Sequence, residues 1–94
     1  EAGELATVDD FEDFELRLEF ALAEMANSGL FLRAARDGSN PAYSGCEIQI
    51  LDDVHWEERT GTKLEPWQHT GSLYGAVAPA EPAAAPIGAW NRFE

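Results

Sequence analysis

Basic residues are scarce in this chain: six Lys and Arg stand against eighteen Asp and Glu in 94 residues, a formal net charge of −12. A surface of that sign repels nucleic-acid phosphates and anionic lipid headgroups, so neither nucleic acid nor a membrane surface is expected as a partner. Cysteine is almost missing too. With Cys46 alone, an internal disulfide is excluded and the redox compartment is left undecided. No run approaches the ~20 apolar residues of a membrane span, and the acidic start Glu1-Ala2-Gly3-Glu4 has no secretory-signal character. A signal could already have been removed. Repeats, heptads and any long amphipathic helix are also lacking, which turns the reading away from a helical fold.

What is present is alternation. Phe14, Leu16, Leu18, Phe20 and Leu22 interleave with Glu15, Arg17, Glu19 and Ala21, the pattern of a half-buried strand. Met25 to Gly29 reads as a turn, because Asn, Ser and Gly bond locally and tolerate positive φ. Leu30 to Ala34 reads as a second strand. Arg36 to Gly45 is punctuated by Asp37-Gly38, Asn40-Pro41 and Ser44-Gly45 and reads as a loop. Asp53 to Pro66 mixes charge, Gly61 and two Thr without a period, an excursion rather than an element. The glycines between His69 and Gly75 predict a strand approached closely by other backbone or by a ligand. Ala78 to Pro86 reads as an extended, polyproline-like connection. The whole is predicted to be all-β, a sandwich or jelly roll.

The strand with the most chemistry is Gly45-Cys46-Glu47-Ile48-Gln49-Ile50-Leu51-Asp52-Asp53. Ile48 and Ile50 specify a buried face, Glu47 and Gln49 a polar one. Counted strictly, Asp52 points with the isoleucines unless a bulge returns it to the polar side. The spacing Glu47, Gln49, Asp52 has the form of the E-x-D-x-x-E strand motif of laminarinase- and lichenase-type glucanases, with two changes. Gln49 cannot carry the central negative charge, and Asp52 is a methylene shorter than the expected acid/base Glu. Retaining glycosidases need carboxyls about 5 to 5.5 Å apart, whereas these Cα atoms lie on the order of 13 to 16 Å apart at strand rise. Ordinary double displacement is therefore not expected.

Further words carry a wider resemblance. Asp13-Phe14-Glu15-Leu16, Asn27-Ser28-Gly29-Leu30-Phe31-Leu32-Arg33, Glu47 to Asp52, His69-Thr70-Gly71-Ser72-Leu73-Tyr74-Gly75 and Trp90-Asn91-Arg92 follow one another in this order. Together they resemble the 3-keto-disaccharide hydrolase domain, across nearly the whole chain. The resemblance implies a concanavalin A-like jelly-roll β-sandwich, usually exported to the periplasm or the medium, acting on glycosides oxidised to a 3-ketone. It matches the N-terminal half of that domain. Because the chain also stops at Trp90-Asn91-Arg92-Phe93-Glu94, the opening of another strand, residues 1–94 are expected to form a single partial domain. Further residues or a second copy of the chain would then cover Phe14, Leu16, Leu18 and Phe20, since half a jelly roll leaves edges and an apolar face bare.

A 3-ketone acidifies the C2 proton, so a base can remove it and the C1 substituent can leave by elimination. Such a site needs a base and something positive beside the enolate oxygen. Glu47 and His69 are the candidate bases, and Arg33, or a divalent cation, could hold the enolate. By alternation Arg33 is expected on the face of Glu47 and Gln49. Gln49, Asp52, Asn27, Tyr74 and Trp67 are the expected substrate contacts; Trp56 could also stack on a sugar, whereas Trp90 is expected in the core. His55 lies near Asp52, Asp53 and Glu57, O and N donors that could hold a divalent metal. Such a set arises easily by chance in an acidic loop, so no metal ligand is assigned. Ser28 has neither a nucleophile elbow nor an activating base near it. The expected function is cleavage of 3-keto-glycosides as a hydrolase or lyase. The alternative is a non-catalytic carbohydrate-binding module, because the fold hosts both.

Overall fold

In the computed structural model, which describes residues 4–94, the chain forms four short strands, two helices and a 3-10 turn. Glu1, Ala2 and Gly3 of the acidic start lie outside the described residues. In chain order these are β1 (Leu18–Ala21), β2 (Asn27–Leu32), α1 (Pro41–Ser44), β3 (Cys46–Leu51), α2 (Asp53–Thr60), the 3-10 turn (Pro66–Gln68) and β4 (Trp90–Phe93). The strands make two antiparallel pairs, β1 with β4 and β2 with β3. The architecture is mostly β, as the alternating pattern predicts.

β3 is the best-supported element because both its edges are occupied. On one side β2 pairs in unbroken register from Asn27↔Leu51 to Leu32↔Cys46. On the other, residues 70–74 run antiparallel to it. Gln49 N donates to Ser72 O at 3.0 Å, Gly71 N to Gln49 O at 2.9 Å and Tyr74 N to Glu47 O at 2.9 Å. At the end of β3 the Thr70 hydroxyl takes the place of a backbone group, accepting from Leu51 N at 2.8 Å and donating to Leu51 O at 2.5 Å. The close approach predicted for this glycine-bearing stretch is thus real, though it forms only bridges rather than a named strand.

Burial on β3 inverts the expectation. Gln49 and Leu51, on the side called polar, are 5% and 2% exposed, while Ile48 and Ile50 are only half-buried. The cause is what lies on each face. Trp56 of α2, Leu64, Gln68 and Tyr74 close over the Gln49 side. The other side opens into an apolar hollow of about 400 Å³ between the two sheets, lined by Phe14, Leu16, Leu30, Leu32, Ile48 and Phe93.

The long N-terminal alternation is realised in part. β1 starts only at Leu18, and Phe14 to Arg17 has no strand partner among the described residues. Phe20 and Phe93 pack edge-on with ring centroids 4.8 Å apart. Trp90, expected in the core, is 70% exposed. Its register opposite Ala21 places it on the outer side of the pair, while Asn91 and Phe93 turn inward.

Two boundaries move. Asn27, Ser28 and Gly29 belong to β2 rather than to the turn, which contracts to Glu24 and Met25. A tertiary contact sets this: Asp52 Oδ2 accepts from Met25 N at 2.9 Å, and Asp52 N donates to Ala26 O at 3.0 Å. Asp53 to Thr60, expected without structure, is α2, started by the Asp52 side chain and stopped by Gly61 at φ 69°. None of its residues is buried, so no apolar stripe marks it in the sequence. α1 likewise interrupts the predicted loop, with Asn40 as its N-cap.

Candidate functional site

The face shared by β2 and β3 carries Asn27, Gly29 and Phe31 opposite Leu51, Gln49 and Glu47. Against it rests a cleft of about 90 Å³ lined by Asn27, Gln49, Leu51, Trp56, Leu64, Gln68 and Tyr74. Its polar groups are carboxamides. Gln49 Nε2 donates to Gln68 O at 3.1 Å, and Gln68 Oε1 accepts from Glu65 N at 2.8 Å. Trp67 meets Tyr74 edge-on at 5.5 Å, and both rings are partly exposed beside the opening. Amides flanked by aromatic faces suit a neutral polyhydroxylated ring.

Glu47 adjoins this cleft two residues before Gln49. Its arm lies across β2 at Gly29, in the volume where another residue would place a Cβ. Burial raises its carboxyl above the ordinary range. A carboxyl so raised is a better proton acceptor when ionised and a usable donor afterwards.

His69 is held differently. Its Nδ1 meets Asp53 Oδ2 at 3.0 Å, and Asp53 also accepts from Thr70 N at 3.2 Å. A carboxylate only accepts, so Nδ1 donates to Asp53. Continuing the antiparallel register places Tyr74 beside Glu47 and Thr70 beside Leu51, with His69 past the end of β3. Glu47 and His69 therefore stand on the order of 13 to 16 Å apart along the strand. Their backbones belong to opposite ends of β3.

Arg33 does not join Glu47, and the assembly expected for an enolate site is corrected on this point. Alternation breaks because Arg33 adopts φ 60°. Its guanidinium donates to Phe11 O at 3.1 Å and Glu12 O at 2.6 Å and lies 5.2 Å from the centroid of the Phe14 ring. Phe14 lines the apolar hollow together with Leu30, Leu32 and Ile48, the face opposite the cleft.

Asp52 reaches the cleft by no bulge, since β3 pairs without an extra residue. It is 4% exposed and bonds Met25 N, His55 N at 3.4 Å and His55 Nδ1 at 2.7 Å. Burial acts to raise its carboxyl, but those three bonds and the His55 ring together outweigh it and hold the group below the usual range. The donors once grouped around His55 diverge. Asp52 takes His55, Asp53 takes His69, and Glu57 accepts from Leu64 N at 3.2 Å. Among the described residues no three His, Cys, Asp or Glu side chains converge as a metal-holding group.

Of the expected contacts, Asn27, Gln49 and Tyr74 line the cleft and Trp67 borders it. Gln68 and Leu64 also line it and were not foreseen; neither has a sequence signal beyond lying near Trp67. Asp53 as the partner of His69 was equally hidden, because a contact between positions sixteen apart follows only from the register.

A family model described as the 3-keto-alpha-glucoside-1,2-lyase-like domain matches residues 1–94. The chain belongs to this family. A curated relative named 3-keto-disaccharide hydrolase, from Bacteroides thetaiotaomicron, is 31% identical over 103 aligned positions. The match takes in 98% of this chain and 35% of the relative, so the chain spans about a third of the length of the curated relative it matches. Among the described residues no helix is long and apolar enough to cross a membrane.

Proposed function

We propose that this chain is the N-terminal part of a concanavalin A-like jelly roll that cleaves 3-keto-glycosides, with Glu47 as the base. The observation that carries the reading is the Glu47 carboxyl, raised by burial and lying beside a cleft of amides and aromatic rings. Membership of the 3-keto-alpha-glucoside-1,2-lyase-like family supports a glycoside as the substrate. The cleft is smaller than the ~300 Å³ at which small-ligand pockets begin. The sugar would lie across its mouth, against Tyr74 and Trp67. The apolar hollow between the sheets supports the architecture, because it leaves Leu30, Leu32 and Ile48 facing space that further strands would fill. Export, as for the resembled family, is part of the same proposal.

In the proposed reaction Glu47 takes the C2 proton, and the C–H electron pair passes into the enolate of the 3-ketone. The enolate collapses back to the ketone as C1=C2 forms and the bond from C1 to the leaving oxygen breaks. Protonated Glu47 returns its proton to the departing alkoxide, and water adds to C1 afterwards. In this reading the Asn27 and Gln68 amides, which line the cleft, are the donors to the enolate oxygen. His69, at the far end of β3, serves as a contact to the remote part of the substrate rather than as the base.

Product analysis on the intact protein with a 3-keto-glucoside in deuterated water tests this. Free sugar carrying deuterium at C2 is expected, with kcat/KM lowered about 10²- to 10⁴-fold in Glu47→Gln. Release without deuterium would select direct hydrolysis. A second reading, a carbohydrate-binding module, is favoured by one observation: Arg33, the cation expected beside the enolate, lies on the opposite face. Binding of the glycan with no release would establish that reading instead.

A further inference from the structure

Gly29 sits in β2 opposite Gln49, two positions from the Phe31↔Glu47 pair and on the same face. A Cβ built on it would stand 2.8 Å from Glu47 Cγ and 2.9 Å from Glu47 Cδ, and nearer still to Oε1. Those three atoms are its nearest neighbours, and all belong to one side chain. Gly45 is the contrasting case, since a Cβ there meets Leu32 O and the backbone of Ala34. Gly29 is also not among the glycines at positive φ. Its backbone is one that any residue could adopt, and glycine weakens a strand interior. Space for Glu47 is what the missing side chain provides.

We propose that Gly29 is a positioning residue for the Glu47 carboxylate: its bare Cα leaves the trough across β2 in which the Glu47 arm lies beside the Asn27 and Gln49 cleft, and any side chain there expels it. The trough is also where Glu47 loses contact with water, which ties its proton affinity to the same glycine. This rests on Glu47 acting as the base only for its catalytic consequence.

The test is a cycle in the intact protein: wild type, Gly29→Ala, Glu47→Ala and the double variant, each followed by thermal denaturation. Gly29→Ala is expected to raise Tm less in the wild-type background, where the Glu47 arm has to move, than once Glu47→Ala has emptied the trough. Equal changes in both backgrounds overturn the proposal. Should Gly29→Ala alone not fold, a cooperative melt recovered in the double variant supports it, and an unfolded double variant overturns it. Carboxyl-carbon NMR supplies the second readout: Gly29→Ala is expected to move the Glu47 titration down toward the ordinary range, and an unmoved titration overturns the proposal. Both measurements are independent of turnover. If no 3-keto-glycoside is cleaved, the functional reading falls while these results stand. If cleavage is seen, Gly29→Ala should lower kcat about tenfold or more, leave KM within about twofold and shift the acid limb of the rate profile to lower pH. An unchanged profile beside an inactive Glu47→Gln would keep the function and remove the role of Gly29.

Discussion

β1 and β3 are written in the same period-two alphabet and end differently. β3 has β2 on one edge and residues 70–74 on the other, and Leu51 and Gln49 are buried. β1 has β4 alone, starts four residues late, and leaves Phe14 and Leu16 exposed at the rim of an open hollow. Alternation states which side chains share a face. Whether that face is covered depends on the number of neighbours the strand finds, since apolar stabilisation follows area removed from water. The cleft lies on the strand with two neighbours, where side chains are held from both sides.

The sharpest way to break this comparison is to truncate matching leucines. Leu51→Ala is expected to cost about 2 to 5 kcal/mol by chemical denaturation, the range for a buried leucine with little room to relax, whereas Leu16→Ala should stay within about 0.5 kcal/mol. Equal effects would mean that β3 and the stretch leading into β1 are packed alike. Next in size is Asp52→Asn, which removes the charge bonded by Met25 N and the His55 ring and should cost about 1 to 3 kcal/mol at neutral pH. The sign follows from the direction of the shift. The folded-state carboxyl is held below its unfolded value, so its contribution is complete above about pH 5 and is lost as pH falls through and below ~4. The penalty of Asp52→Asn should therefore shrink toward zero in acid.

Glu47 behaves in the opposite sense and gives a smaller effect. Its folded-state carboxyl is raised by burial, so folding disfavours the ionised form, and the cost appears as pH rises through the ordinary carboxylate range. Glu47→Gln is expected to melt slightly higher than wild type at pH 7 and level with it near pH 3. A lower melt at pH 7 would show the carboxylate to be a stabilising group instead of a strained one. The smallest change belongs to Trp90→Ala, within about 0.5 kcal/mol in the isolated chain, because that ring is on the outer side of β1 and β4. A larger loss would place Trp90 against something that covers it.

Much of the candidate cleft was legible because it needs only local pattern. Glu47 and Gln49 share a face by alternation, and Asn27 and Tyr74 follow from words that accompany them in the family. Arg33 was misplaced for a local reason with a distant cause. Alternation assumes extended backbone, and one residue at positive φ reverses every direction after it. The carbonyls of Phe11 and Glu12, twenty-two and twenty-one positions away, take the guanidinium once it has turned. α2 was missed because a helix with no buried residue has no apolar period to read, although its Asp52 cap and Gly61 stop were both in view.

The sequence by itself determined that the protein is mostly β, acidic and built around the strand from Cys46 to Leu51, because composition and a two-residue period act within a single segment. Tertiary structure alone decided which face of that strand is buried, that Asp53 holds His69, and that Arg33 leaves Glu47 for the other side of the sheet. Each of these depends on segments brought together from positions far apart in the chain. No local preference carries that information, because a side chain's direction is settled by the partner that satisfies it.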